Sequence, residues 1–302
     1  AIIAFTLAFV DGLEVASITK FAFFGACNGF VSSVFAVGLI SLGESLLNLP
    51  TVFRLQELTD TSLPLLKKLS ESAMGSYIHS INVANLAETA ANVVHANGLL
   101  AKVGALYHDI GKIGNAAYFT ENQGDYNPHD DLPPTTSVNI IKNHVKDGVE
   151  RAKAAKLPQK VIDIIHQHHG NGLIKYFYYQ ALKQAPEGEN VSEETFRYKA
   201  ENPQFPEAAI VMMADQIEAI SRASKDYTAE GFKSIVDKVV DEKFKDETLT
   251  NAELTIRDLT KIKQVFTKSL VGMYHSRIEY PAPPTEKKET ANNVEEVTKK
   301  KE

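Results

Sequence analysis

His108 and Asp109 stand side by side at the end of an apolar run, Gly104-Ala105-Leu106-Tyr107. That is a place where an imidazole or a carboxylate is costly unless something binds it. At helical spacing His108 stacks over Ala101, Gly104 and Ala105, so its ring faces the small, buried side. Other polar groups repeat the pattern. His79 sits one turn before Val83 and two before Leu86; His144 follows Val138, Ile140 and Ile141. His168 stacks over Val161, Ile164 and Ile165, and His169 over Ile162 and Ile165, whereas His166 shares its side with Asp163. Asp215 interrupts an apolar helix with Val211 and Met212 one turn back and Ala219 one turn on. Scattered histidines fall mostly on solvated faces, so seven inward donors point to metal binding. Imidazole and carboxylate together suit Fe, Mn, Zn or Ni. Seven donors exceed the shell of one ion with an open position, and two ions sharing a bridging carboxylate would use them all. His95, His129 and His275 are expected at the surface or in caps.

The elements that must position these groups are helical. Of the 302 residues a single one is cysteine, Cys27, which rules out an internal disulfide and any zinc site built on cysteine pairs. A net charge of -6 gives no support to duplex nucleic-acid binding by phosphate neutralisation. Residues 21–42 carry no charge and, as a helix, extend about 33 Å, enough to cross a bilayer. Residues 1–10 are a shorter apolar run, read as the remnant of another membrane helix, with Asp11-Gly12 turning between the two. Gly25, Gly29 and Asn28 call for neighbouring helices, and Arg54, Lys67 and Lys68 favour a cytoplasmic side after the span. The division expected is residues 1–43 as the end of a transmembrane region, 44–74 as an amphipathic connector, 75–281 as the functional domain and 282–302 as a disordered charged tail.

Within that domain, residues 76–96 form a helix ended by Asn97-Gly98, and the next carries His108-Asp109. Residues 118–135 read as a long loop, with Thr135-Thr136-Ser137 capping the helix of His144. Leu157-Pro158 opens the helix of His168 and His169. The aromatic cluster Tyr176, Phe177, Tyr178 and Tyr179 is expected to pack in the core. No sustained period-two alternation follows residue 42, so the fold class is all-α.

His79, His108-Asp109 and Asp215 match the H…HD…D pattern. Further stretches are Gly75-Ser76-Tyr77-Ile78-His79-Ser80, Tyr107-His108-Asp109-Ile110-Gly111-Lys112, Glu121-Asn122-Gln123, Asn127-Pro128-His129-Asp130, His168-His169-Gly170, Ala214-Asp215-Gln216-Ile217-Glu218-Ala219 and His275-Ser276-Arg277-Ile278-Glu279-Tyr280-Pro281. On these residues the chain resembles the HD-domain metal-dependent phosphohydrolases. It is most similar to the membrane-anchored branch in which a seven-helix membrane region precedes a domain that hydrolyses cyclic di-AMP.

The resemblance implies an HD-domain helical bundle preceded by a fragment of the membrane region, at the cell membrane, multi-pass, with the HD domain cytoplasmic. It implies one metal on His79, His108, Asp109 and Asp215, and a second on Asp109, His144, His168 and His169, Asp109 bridging. The cofactors implied are two divalent transition-metal ions, Fe or Mn. The reaction implied is hydrolysis of a cyclic dinucleotide, cyclic di-AMP to linear pApA, by a water that both ions activate. Asp109 and Lys112 are the catalytic candidates, and Lys112 and Arg222 the candidates for a substrate phosphate. The lipid bilayer is a partner through the N-terminal helices, and homo-oligomerisation is compatible with the chain. Gly170 is followed by Asn171-Gly172-Leu173 rather than the Gly-Tyr-Pro of cyclic di-GMP enzymes. Met74, Ile78 and the stretch Tyr198-Lys199-Ala200-Glu201-Asn202-Pro203 depart from the branch's pattern. Two alternatives remain: a catalytically weak cyclic-dinucleotide receptor signalling through the membrane, and an HD phosphohydrolase acting on another nucleotide.

Overall fold

The uncharged run at residues 21–42 lies within one helix, α1 (Val15–Leu47), in the computed structural model, which describes residues 6, 15–47, 50–186 and 190–274. Its segment Thr19–Leu39 has a mean hydropathy of 1.6 and is not covered by the rest of the chain; Phe23, Phe24, Phe30 and Phe35 are all exposed. Among the described residues it is the one helix long and apolar enough to cross a membrane. Its polar groups are bonded within the helix: Ser32 donates to Asn28 Oδ1 and Ser33 to the Gly29 carbonyl. The expected helix over residues 1–10, but for residue 6, and the tail of residues 282–302 lie outside the described residues.

Two short helices follow, α2 (Val52–Leu58) and α3 (Pro64–Ser72). Both fall in the stretch expected as a connector, and they bury Leu55, Leu58, Leu66 and Leu69 in the main core. Their apolar residues recur three apart, one stripe per helix, and a stripe of that kind must be covered.

The site is carried by five helices: α4 (Met74–Val93), α5 (Gly98–Tyr107), α6 (Pro134–Ala154), α7 (Gln159–Gln167) and α9 (Pro206–Ala223). Alanines on the facing sides of α4 and α5, among them Ala84, Ala87, Ala91, Ala101 and Ala105, are fully buried and let the two axes approach. Between α7 and α9 lies α8 (Lys175–Gln184), which buries Phe177 in a satellite cluster with Val138 and Phe196 but leaves Tyr176 and Tyr179 exposed. Two further helices, α10 (Ala229–Lys245) and α11 (Ile256–Tyr274), close the bundle. No strand occurs among the described residues, only an isolated bridge between Leu173 and Arg197.

Helix ends differ from the sequence reading in two places. Asn97 does not terminate α4, which stops at Val93; it caps α5, its side chain accepting the Leu100 N–H at 3.0 Å. Nor do Thr135 to Ser137 cap α6: that helix begins on Pro134, whose fixed φ suits the first helical position. Residues 110–131 hold four 3-10 turns, Ile110–Gly114, Ala116–Tyr118, Thr120–Asn122 and Pro128–Asp131, joined by short irregular links. The first, Ile110–Gly114, lies so close to α6 that a Cβ on Gly111 would fall 1.8 Å from the His144 carbonyl oxygen. A Gly111→Ala variant must push α6 and its histidine away. It is expected to lose about 2–4 kcal/mol of stability in chemical denaturation; an unchanged midpoint would contradict this close packing.

Candidate metal centre

Three of the histidines are aimed by the backbone of their own helices. The last carbonyls of a helix have no partner within it. His108, just past α5, donates from Nδ1 to the Ala105 carbonyl at 2.6 Å, and His168, just past α7, does the same to Ile165 at 2.7 Å. Within α6, His144 donates to Ile141 at 2.5 Å. With Nδ1 committed to a carbonyl, Nε2 of each ring is the atom turned to the interior, and it can bind there once it carries no proton. His79 is oriented differently: its Nδ1 bonds the Glu218 carboxylate on α9, which in turn accepts from Asn82 Nδ2 at 3.1 Å. Gly170, at φ +52°, takes the left-handed turn that ends the His168-His169 segment.

The structure brings all seven predicted donors together. His79, His108, Asp109, His144 and His168 are buried; His169 and Asp215 are partly exposed toward a cavity of about 340 Å³. Ligand atoms of His79, His108 and Asp215 lie within 4.8 Å of one another, as do those of His144, His168 and His169. Asp109 lies between these sets. Its Oδ2 is 3.1 Å from His108 Nε2 and 3.8 Å from His79 Nε2; its Oδ1 is 3.6 Å from His144 Nε2 and 3.9 Å from His168 Nε2. Both carboxylate oxygens of Asp109 and the Nε2 of His108 are buried with no hydrogen-bond partner. Buried polar atoms left this way, in a shell of imidazoles and carboxylates, fit divalent transition metals.

The buried charges set one another's protonation. Burial disfavours the ionised Asp109, yet His108 and Lys112 outweigh it and hold the carboxyl well below its usual range. Burial likewise opposes the charge on His108, but Asp109 and Asp215 raise its pKa to about 10. His79 is raised for the same reason by Asp215 and Glu218, against burial. Burial dominates the other rings: His144 and His169 are lowered, and His168 falls to about 3, with the His108 charge adding to the effect. The metal-free centre thus holds protons on His108 that an incoming metal must displace, so affinity rises with pH. Calorimetric titration of the metal-free protein at pH 7 is expected to show release of at least about one proton per site filled at His108. Identical heats in buffers of different ionisation enthalpy would rule this out.

Lys112 is buried, and its ammonium lies 2.7 Å from both Asp109 Oδ2 and Glu121 Oε1. Glu121 also accepts from Ser76 Oγ at 2.7 Å, which ties the 3-10 turns to α4. Arg222 stands at the rim of the cavity, 4.0 Å from Glu218. Glu121, Glu218 and Tyr198 were given no role by sequence reasoning. Tyr198 stacks on His169 with ring centroids 4.3 Å apart, so the 198–203 departure from the family pattern borders the donors. Met74 and Ile78, the other departures, are exposed. His129 is not a surface group: it is buried, donates to the Tyr118 carbonyl at 2.8 Å and packs against Phe177. His95 is exposed at φ 60°, His166 lines a different cavity, and His275 lies outside the described residues.

The HD domain model matches residues 76–220, the span that holds all seven donors. A crystal structure titled as the HD domain of the L. monocytogenes phosphodiesterase PgpH in complex with cyclic-di-AMP is 44% identical, with a TM-score of 0.68 over 72% of this chain and 100% of that one. This chain belongs to the HD domain family. Cyclic-di-AMP phosphodiesterase PgpH of Bacillus subtilis (strain 168) is 41% identical over 273 residues, 90% of this chain and 38% of that protein. Its namesake from Listeria monocytogenes serotype 1/2a (strain 10403S) is 43% identical over 262 residues, 86% of this chain and 36% of that protein. The chain therefore spans little more than a third of the length of these curated relatives. HD domains are metal-dependent, and the groups of this chain that could hold metal, among them His108 and Asp109, lie within the matched span.

Proposed function

We propose that this HD domain is a phosphodiesterase that opens cyclic di-AMP to linear pApA. The observation that carries the reading is the match, at 44% identity over its entire length, to an HD domain crystallised with cyclic-di-AMP. The donor shell supports two ions: one on His79, His108, Asp109 and Asp215, the other on Asp109, His144, His168 and His169. Nitrogen and oxygen donors of this kind suit Fe, Mn, Zn or Ni, and the resemblance to the membrane-anchored HD branch selects iron or manganese among them. When bound, such a pair of ions supplies an activated water for in-line attack on phosphorus and neutralises charge on the phosphoryl oxygens. The protein's own groups do the positioning. A lysine ammonium has three N–H donors; Lys112 gives one to Glu121 and is ion-paired with Asp109, which leaves a donor for a phosphoryl oxygen of the substrate. Arg222 attracts the anionic ligand from the rim.

The apolar helix α1 supports a membrane anchor, as part of a multi-pass region of the kind the seven-helix branch carries, with the HD domain on the cytoplasmic side. Self-association of this part remains compatible with it. Elemental analysis of anaerobically purified protein, coupled to assays with cyclic di-AMP, cyclic di-GMP and linear dinucleotides, tests the whole reading. Two equivalents of Fe or Mn per chain, with cyclic di-AMP cleaved fastest, is the expected result. Metal-loaded protein that cleaves no cyclic dinucleotide would sink the enzymatic reading and favour a receptor.

A further inference from the structure

The cavity at the metal centre does not end at the histidines. Gly172, Leu173, Gln216 and Lys243 line both it and a second cavity of about 560 Å³. Ligand pockets run from roughly 300 to 1,000 Å³. The first cavity, about 340 Å³, is at the low end of that range. A molecule with two nucleosides and two phosphates must extend beyond it.

Three cations line the second cavity, and two have a carboxylate partner. Lys175 lies 3.8 Å from Glu242, while Arg197 pairs with Glu193 and donates to the Asn171 carbonyl at 3.1 Å. Lys243 is different. It is half-buried, and among the described residues its ammonium has no carboxylate within 4.0 Å and donates no hydrogen bond. Burial lowers its pKa, although Asp246, Asp215 and Glu242 attract the charge from farther away. A lysine in the last turn of a helix is often there for the helix dipole. Lys245 in the same turn of α10 fits that role, being exposed, whereas Lys243 faces the two cavities.

We propose that Lys243 receives the second, uncleaved phosphate of the cyclic dinucleotide, while the first lies at the metal centre. This rests on the phosphodiesterase reading above and names what the second cavity adds to it. An ammonium already partly stripped of water gains a charge-assisted partner only when the ligand arrives. Lys243 is therefore a selector for substrates that carry two phosphates a nucleotide apart. It lies beyond residues 76–220, the span that matches the HD domain family.

The test uses the full chain loaded with metal, comparing Lys243→Gln with wild type on cyclic di-AMP and on bis(p-nitrophenyl) phosphate, a diester with one phosphate. For cyclic di-AMP, kcat/KM is expected to fall about tenfold or more, mainly through KM, and several-fold further than for the one-phosphate diester. Lys243→Arg should recover most of the loss, with metal content as in wild type. Equal losses on both substrates, loss of metal, or an unchanged KM for cyclic di-AMP would each overturn the inference. Wild-type protein that cleaves the one-phosphate diester but no cyclic dinucleotide would instead overturn the functional reading, and this inference with it.

Discussion

The Asp109→Asn variant is expected to purify with about half of the wild-type metal or less, and to lose at least about 10³-fold in kcat on cyclic di-AMP. The two oxygens of Asp109 face different histidine sets, Oδ2 toward His108 and His79 and Oδ1 toward His144 and His168. On the proposed assignment one substitution removes a ligand from both ions. Loss of fold is not the expected cause, because Asn keeps the volume and Lys112 keeps Glu121 as its counter-ion. Circular dichroism should therefore match wild type while metal analysis does not. A variant with two full equivalents of metal and wild-type turnover would show that Asp109 bridges nothing.

Glu218→Ala should separate the two metal positions. Groups that hydrogen-bond a ligating histidine typically carry about 10–100-fold in metal affinity or activity. Glu218 holds Nδ1 of His79, whereas the Nδ1 atoms of His108, His144 and His168 are held by main-chain carbonyls that no side-chain substitution removes. In a chelator titration one of two equivalents is expected to leave early, about 10–100-fold more readily than in wild type, and the other at its usual chelator concentration. Simultaneous departure of both would place Glu218 outside the role assigned to it.

The donors themselves could be read from the sequence because the same physical conflict marks each: a polar ring or carboxylate on the apolar stripe of a helix. Periodicity alone put His168 inward and His166 aside, and the structure places them so. Glu121, Glu218 and Lys243 carry no such mark. Glu121 lies among turns that have no period, and Glu218 is one of several charges near a helix end. Lys243 is legible only once α10 packs beside the cavity. The connector shows the opposite limit. Its apolar stripe was visible, but which surface it covers is a tertiary fact, and Leu55 and Leu69 turn out to be completely buried. The cap expected at Thr135 failed because Pro134 starts that helix without a side-chain bond.

The imidazoles fixed to the carbonyls of Ala105, Ile141 and Ile165 are set in place by folding itself, before any ion arrives. Their orientational entropy is spent once, when the helices form. Exchange of one ion for another then needs no refolding and proceeds on the timescale of ion release. Since affinity among first-row metals follows a fixed chemical order for a given donor set, the ion carried in a cell will follow the supply of that cell. Protein prepared from iron-poor and manganese-poor cultures would carry that record.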